Sequence, residues 1–351
     1  METNNLPFIH RAKFEQFSQF DNLDIEFARH INIISGETSV GKTHVMKALY
    51  SIGKTLNELE AEKKAVELLP TLLADKFNGV FHSNQLLQLI MHGKTFANCE
   101  LQWTNNKSLS CQFSIESNDS ITIEGYEYES ERPNFIYLPV KEIISATTSF
   151  SSLYKQFSLP FEETYFDLSK LLSKDTKDRF IEYGKKLLKM LEDMLQGKTI
   201  CEDETFYLLT NTGEKIEMGL VAEGYRKIAT LMRLIENGSI TANSIIFWDE
   251  PEANMNPKMV PFMKDLLISL AKMGAQIFMT THSYFVLQEL SLFCEYENKD
   301  ELDIRFITLY RNEETGMICH EAKKTATELD HNPIQEEFEE LYNKENDLFY
   351  E

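Results

Sequence analysis

The residues Gly36-Glu37-Thr38-Ser39-Val40-Gly41-Lys42-Thr43 follow the spacing G-x-x-x-x-G-K-[ST], which suits the phosphates of a nucleotide. Glycines let the main chain curl, so that its N–H groups and the N-terminus of a following helix face an anion. Lys42 is the group expected to reach the β- and γ-phosphates, and Thr43 the hydroxyl expected to ligate Mg2+. A second constellation is Asp249-Glu250, the acidic end of the apolar run Ser244-Ile245-Ile246-Phe247-Trp248. Asp249 is suited to holding Mg2+, directly or through water, and Glu250 to polarising an attacking water. A third is His282, which follows Ile277-Phe278-Met279-Thr280-Thr281 and suits a hydrogen bond that senses a γ-phosphate. A fourth runs from Gly219 to Lys227, where Gly224 and the basic pair Arg226-Lys227 open a helix able to meet an anion supplied from outside. Each has a plain alternative: a glycine turn, an acidic turn, a structural histidine and a helix cap. The plain reading is weakest for the phosphate loop, where strand, loop and helix agree, and strongest for the fourth segment taken alone.

These residues need elements to hold them. His30-Ile31-Asn32-Ile33-Ile34 is a β-branched run that ends at Ser35-Gly36, as a buried strand entering a loop does. Residues 43–69 read as a helix with Leu56, Leu59, Val66 and Leu69 on recurring turns, interrupted by Pro70. Short runs over 98–138 read as an antiparallel meander, and 143–198 return to helix, with Gly197 as its end. Phe206 to Leu209 and Lys215 to Met218 read as a hairpin turning at Asn211-Thr212-Gly213. Residues 223–236 and 257–273 read as helices, 244–249 and 276–281 as strands. Strands alternating with helices at both ends imply an α/β fold with a parallel sheet covered by helices.

In this order, the four segments resemble the ABC-type ATPase heads of the SMC and RecF superfamily. The wording is similar to the overcoming-lysogenisation-defect and AAA-21 clan found in anti-phage systems such as Septu, with its PtuA-like proteins, and PARIS. Ala222-Glu223-Gly224-Tyr225-Arg226-Lys227 resembles that clan's AEGxRK signature, and Asp249-Glu250-Pro251-Glu252-Ala253-Asn254-Met255-Asn256-Pro257 its DEPExxLHP. Phe135 to Ser145 resembles a FIPxKExLS segment near the position of the Q-loop. Two departures stand out: Ala222 replaces the serine usual in transporter heads, and Asn256 a residue that is often His. The resemblance implies a homodimer that sandwiches ATP. Gly36, Thr38, Ser39, Val40, Gly41, Lys42, Thr43 and His44 would bind the nucleotide in one subunit, with Thr43, Asp249 and Glu142 at Mg2+ and Glu250 and His282 in catalysis. Gly224, Arg226 and Lys227 would come from the other subunit, across the γ-phosphate. Slow ATP hydrolysis is the expected activity. The fold this implies is an ABC-type ATPase head with a mixed, largely parallel core sheet, an N-terminal antiparallel β part and a helical insertion lobe.

Composition sets the surroundings. Of 351 residues, 42% are hydrophobic, including 24 Phe and 14 Tyr, which is enough for a sizeable core. Against 35 Lys and Arg stand 56 Asp and Glu, a net charge of −21 that argues against nonspecific coating of DNA while leaving room for a local basic groove. Cys99, Cys111, Cys201, Cys294 and Cys319 are scattered without a CxxC pair, no secretory pattern opens the chain and no run approaches a membrane span, so a cytoplasmic protein is expected. The expected organisation is a split core (1–54 and 200–320), an insertion (55–199) and an acidic helical tail (321–351) with Ile334, Phe338, Leu341 and Tyr342 on one face. No long heptad arm and no room for a nuclease follow the motifs, so the resemblance implies a separate effector, a nuclease or toxin, in anti-phage defence. Lys177, Arg179, Lys185, Lys186 and Lys189 are the best candidate contact for nucleic acid, with a solvated helix face as the simpler account. The rival functions are a RecF-like DNA-repair clamp and a nucleotide-gated scaffold that scarcely turns over.

Overall fold

The computed structural model describes every residue except 1–6, 60–62, 117–119, 126–131, 148–149, 158, 176–180, 300–301 and 351. Its centre is a six-stranded sheet in the order β14-β13-β3-β12-β11-β7. The strands are β3 (Ile31–Gly36), β7 (Asn134–Leu138), β11 (Ser244–Trp248), β12 (Gln276–Thr280), β13 (Ile304–Arg311) and β14 (Ile318–Lys323). All neighbours are parallel except β13 and β14. Strands covered on both faces read as continuous apolar runs, and side chains of successive residues separate to the two sides. Ile246, Trp248, Ile277 and Met279 enter one core, while Ile245, Phe247 and Phe278 enter the other.

The second core is shared with a five-stranded antiparallel sheet, β2-β1-β4-β5-β6. Its strands are β1 (Ile9–Phe17), β2 (Phe20–Glu26), β4 (Phe96–Trp103), β5 (Ser108–Ser114) and β6 (Thr122–Glu124). Helix α1 (Lys42–Glu58) is buried on nearly every turn because it lies between the two sheets, and α2 (Lys63–Phe81) packs beside it. The opposite face of the central sheet is covered by α4 (Glu163–Leu172), α5 (Ile181–Leu195), α6 (Glu223–Glu236), α7 (Val260–Met273) and α8 (Tyr284–Leu292), with α3 (Phe150–Gln156) at the edge. A small sheet of β8 (Gly197–Glu202), β9 (Thr205–Thr210) and β10 (Lys215–Glu217) joins them, and α9 (Pro333–Tyr350) ends the described chain.

Several expectations change. Only β4 to β6 form the meander; β7 leaves it and pairs in parallel with β11, in the central sheet rather than in an inserted part. Pro70 lies inside α2 and does not end it; burial of Leu69, Leu73 and Phe77 on one side outweighs the lost hydrogen bond. Gly197 opens strand β8 instead of capping a helix, since a Cβ there would lie 2.4 Å from the Leu209 carbonyl oxygen of the paired strand. The boundary expected at 321 falls inside β14, and helix begins only at Pro333. Of the C-terminal face, Ile334 packs on the core and Phe338 stacks on Tyr284 with ring centroids 4.0 Å apart, but Leu341 and Tyr342 are exposed. Lys177 and Arg179 lie outside the described residues, whereas Lys185, Lys186 and Lys189 are exposed on α5. Among the described residues, no helix is long and apolar enough to cross a membrane.

Candidate nucleotide-binding site

The carboxyl ends of β3, β11 and β12 lie side by side, and open α/β sheets bind ligands at such ends. The loop after β3 is shaped by two glycines in the left-handed region. Gly36 has φ +132°, and a Cβ there would sit 2.0 Å from the Leu309 carbonyl oxygen of β13. Gly41 has φ +92° at the start of α1, and a Cβ would meet the Phe20 ring at 2.5 Å. Between them Glu37, Thr38 and Ser39 face solvent and Val40 is buried. The Lys42 ammonium, mostly buried, donates to the carbonyls of Gly36 (2.9 Å) and Glu37 (2.6 Å). Burial pulls its pKa down to about 8, against the opposing pull of Glu250, Asp249 and Glu37.

Thr43 Oγ1 donates to Asp249 Oδ1 at 3.2 Å, which joins the hydroxyl and the carboxylate that the sequence singled out from distant segments. Asp249 also accepts from Thr280 Oγ1 at Oδ1 (2.5 Å) and from Tyr137 Oη at Oδ2 (3.1 Å). Burial first, and Asp249 second, hold the Tyr137 phenol well above its usual pKa, so it stays a neutral donor. Its ring meets Tyr50 edge-on at 5.3 Å, and Tyr50 donates to Asp167 (2.8 Å), which pairs with the buried Lys76 (3.1 Å). A hydroxyl and a carboxylate side by side suit Mg2+, which takes few protein ligands and completes its shell with phosphate and water.

Glu250 follows with φ +45° and its N–H donates to Thr280 Oγ1 at 3.0 Å. His282 Nε2 lies 3.5 Å from Glu250 Oε1. Burial, and then Lys42, lower the pKa of His282, which favours the neutral ring. Glu252 ties the two strand ends together: its Oε1 accepts from Thr281 Oγ1 (2.6 Å) and from the His282 N–H (3.1 Å).

Other expected residues are engaged elsewhere. His44 turns from the phosphate loop to Ser18 (Nδ1 to Oγ, 2.5 Å) and the edge of Phe81, and burial lowers its pKa to about 4. Glu142 spends Oε1 on Arg226 Nε (3.1 Å) and both oxygens on Ser145. Lys227 is buried and donates to the carbonyls of Ala253 (2.9 Å), Glu250 (3.2 Å) and Pro251 (3.4 Å). Gly224 is buried against Met255. Sequence reasoning missed Tyr137, Thr280 and Glu252, although all three stand within the quoted segments; only register in the folded sheet brings Tyr137 beside Asp249.

The family model described as "AAA domain, putative AbiEii toxin, Type IV TA system" matches residues 104–288, more than half of the chain. A curated relative, the DNA replication and repair protein RecF of Halalkalibacterium halodurans, is 36% identical over 56 residues, which span 16% of this chain and 15% of that protein. An SMC head bound to the C-winged helix domain of ScpA matches with a TM-score of 0.57 at 12% identity, covering 90% of this chain and 98% of that one. An Smc head with an extended coiled coil, bound to a ScpA domain derived from Pyrococcus furiosus, matches at 0.52 and 11% identity, covering 96% and 100%. The chain belongs to the AAA_21 family, and its fold is that of the SMC heads.

Proposed function

We propose that this protein binds Mg-ATP at the ends of β3, β11 and β12, hydrolyses it, and dimerises around it. The observation that carries the reading is the Thr43–Asp249 pair beside Glu250 and His282, at the foot of a loop whose glycines Gly36 and Gly41, at positive φ, have no room for a Cβ. Main-chain N–H groups of Gly36 to Thr43 and the start of α1 would hold the phosphates, with Lys42 exchanging its loop carbonyls for phosphate oxygens. Thr43 and Asp249 would hold Mg2+, which would offset the negative charge of the phosphates. Glu250 would orient a water in line with the γ-phosphorus and accept its proton as the new P–O bond forms. The bond to the β–γ bridging oxygen then breaks, and ADP leaves. His282, neutral and near Glu250, would donate its single ring N–H to the γ-phosphate. Gly224 and Arg226 would face a partner's nucleotide, which requires the Arg226–Glu142 pair to open. Neither His44 nor Glu142 is given a direct role, since both side chains are spent elsewhere.

The dimer would restrain or release a separate effector in defence against phage, with the acidic α9 and its exposed Leu341 and Tyr342 as the docking surface. Exposed Lys185, Lys186 and Lys189 on α5 are the proposed nucleic-acid contact. We propose the helices α3 to α5 as the lobe that carries the nucleotide state outward. The test is a pair of variants. Glu250→Gln is expected to bind ATP and remain dimeric with it, and Lys42→Ala to lose binding. Wild-type turnover in Glu250→Gln would overturn the assignment.

A further inference from the structure

Among the described residues, two buried cations of the site, Lys42 and Lys227, meet main-chain carbonyls and no carboxylate. Lys227 sits in the second turn of α6, only 4% exposed, and spends its ammonium on three main-chain carbonyls of residues 250 to 253. Among the described residues it forms no ion pair. A buried ammonium is costly unless its protons are satisfied, so this arrangement fixes both groups in place. Two further contacts tie the same helix end to the same loop. Asn254 Nδ2 donates to Glu223 Oε1 at 3.0 Å, and a Cβ on Gly224 would lie 3.3 Å from Met255 Cγ. The loop is strained where it is held: Glu250 and Asn254 both have positive φ, at 45° and 62°. A non-glycine residue keeps that conformation only when its surroundings over-determine it. The Glu250 carbonyl is one of the three that Lys227 grips, and turning that peptide unit would swing the Glu250 carboxylate.

We propose that Lys227 is a positioning residue: by holding the main chain of 250–253 it sets the Glu250 carboxylate, and it makes that carboxylate follow any movement of the start of α6. The proposal rests on the ATPase reading above and deepens it. Since the start of α6 is the part suggested to face the partner's nucleotide, occupancy of one site would be felt at the water-orienting group of the other. Lys227 would thus not reach across to phosphate at all; it would carry the movement inward.

Steady-state kinetics and nucleotide affinity of the full chain test this. Lys227→Met is expected to lower kcat by about tenfold or more, with KM and the affinity for a non-hydrolysable ATP analogue held within about threefold. Lys227→Arg, which keeps charge and donors, is expected to restore kcat to within about threefold. A kcat for Lys227→Met within about twofold of wild type, or kcat and affinity falling together, overturns the proposal. If Lys227→Met does not fold, Asn254→Gly decides: it removes the bond to Glu223 at a position whose φ suits glycine. A loss in kcat at constant KM supports the coupling, and unchanged kinetics overturn it. Glu250→Gln runs alongside; full turnover there sinks the parent reading, whereas full turnover in Lys227→Met alone sinks only the coupling.

Discussion

Asp249 is fixed by three hydroxyls, from Thr43, Thr280 and Tyr137, which leave its carboxylate little freedom. Tyr137 is the informative one, because Tyr137→Phe deletes a single donor and keeps the ring packed on Tyr50 and Phe247. A net hydrogen bond of about 1 kcal/mol translates into a turnover about three- to tenfold lower, and the Mg2+ concentration for half-maximal rate should rise. A magnesium titration of the variant checks this; an unchanged curve would mean that Thr43 and Thr280 suffice. At this scale much of the site was legible. Lys42, Thr43, Asp249, Glu250 and His282 could be singled out as candidates because their chemistry is written in contiguous residues next to strand ends. The partners of Arg226, Lys227 and Glu142 were not legible, because a charged side chain does not reveal what it meets. Arg226 turns to Glu142, and Lys227 turns to carbonyls, which sequence patterns never mark.

Among the elements, α6 joins the site at its first turn to the α5 side of the core at its last. Near that last turn Glu236 is pushed up to about 7, by burial first and with Glu192 adding to it against the pull of Arg233. Its folded pKa lies above the unfolded value, so its contribution to stability is complete below about 4.5 and is lost as pH rises through about 7. Glu236→Gln is therefore expected to stabilise the protein at pH 8 by about 1–3 kcal/mol, with the advantage vanishing toward pH 4.5. Urea titrations of both proteins across that range check the sign; a variant less stable at pH 8 would show that Arg233 dominates. The long helices and the strands next to motifs were legible from periodicity. The reading failed for β7 and β13, whose parallel partners β11 and β3 lie far away in sequence, and it passed over β8 and β14, which pair with adjacent strands. An apolar run such as Phe135 to Leu138 looks the same whether it continues a meander or joins a parallel sheet.

For the whole molecule, charge opposes assembly. In the proposed dimer each protomer would carry a formal −21, so the two would repel at long range, and nucleotide would add further negative charge between them. Raising ionic strength shortens the screening distance from roughly 14 Å at 50 mM to about 6 Å at 300 mM. The ATP-bound dimer of Glu250→Gln should therefore tighten with salt, as sedimentation velocity at several salt concentrations would read. Weakening with salt would mean that attraction at the contact face, such as Arg226 toward phosphate, outweighs the repulsion.

The placing of β3 between β12 and β13 also bears on how the chain is made. A ribosome delivers residue 31 long before residues 276 and 304, which flank it in the sheet. At typical synthesis rates the phosphate loop waits tens of seconds with its neighbours still unmade. Until they emerge, α1 has only the N-terminal antiparallel sheet to rest on, and the β3 edges stay open to wrong pairing. The nascent protein thus cannot grip nucleotide until its last third has appeared, and a chaperone with a taste for bare β-edges would find its longest opportunity there.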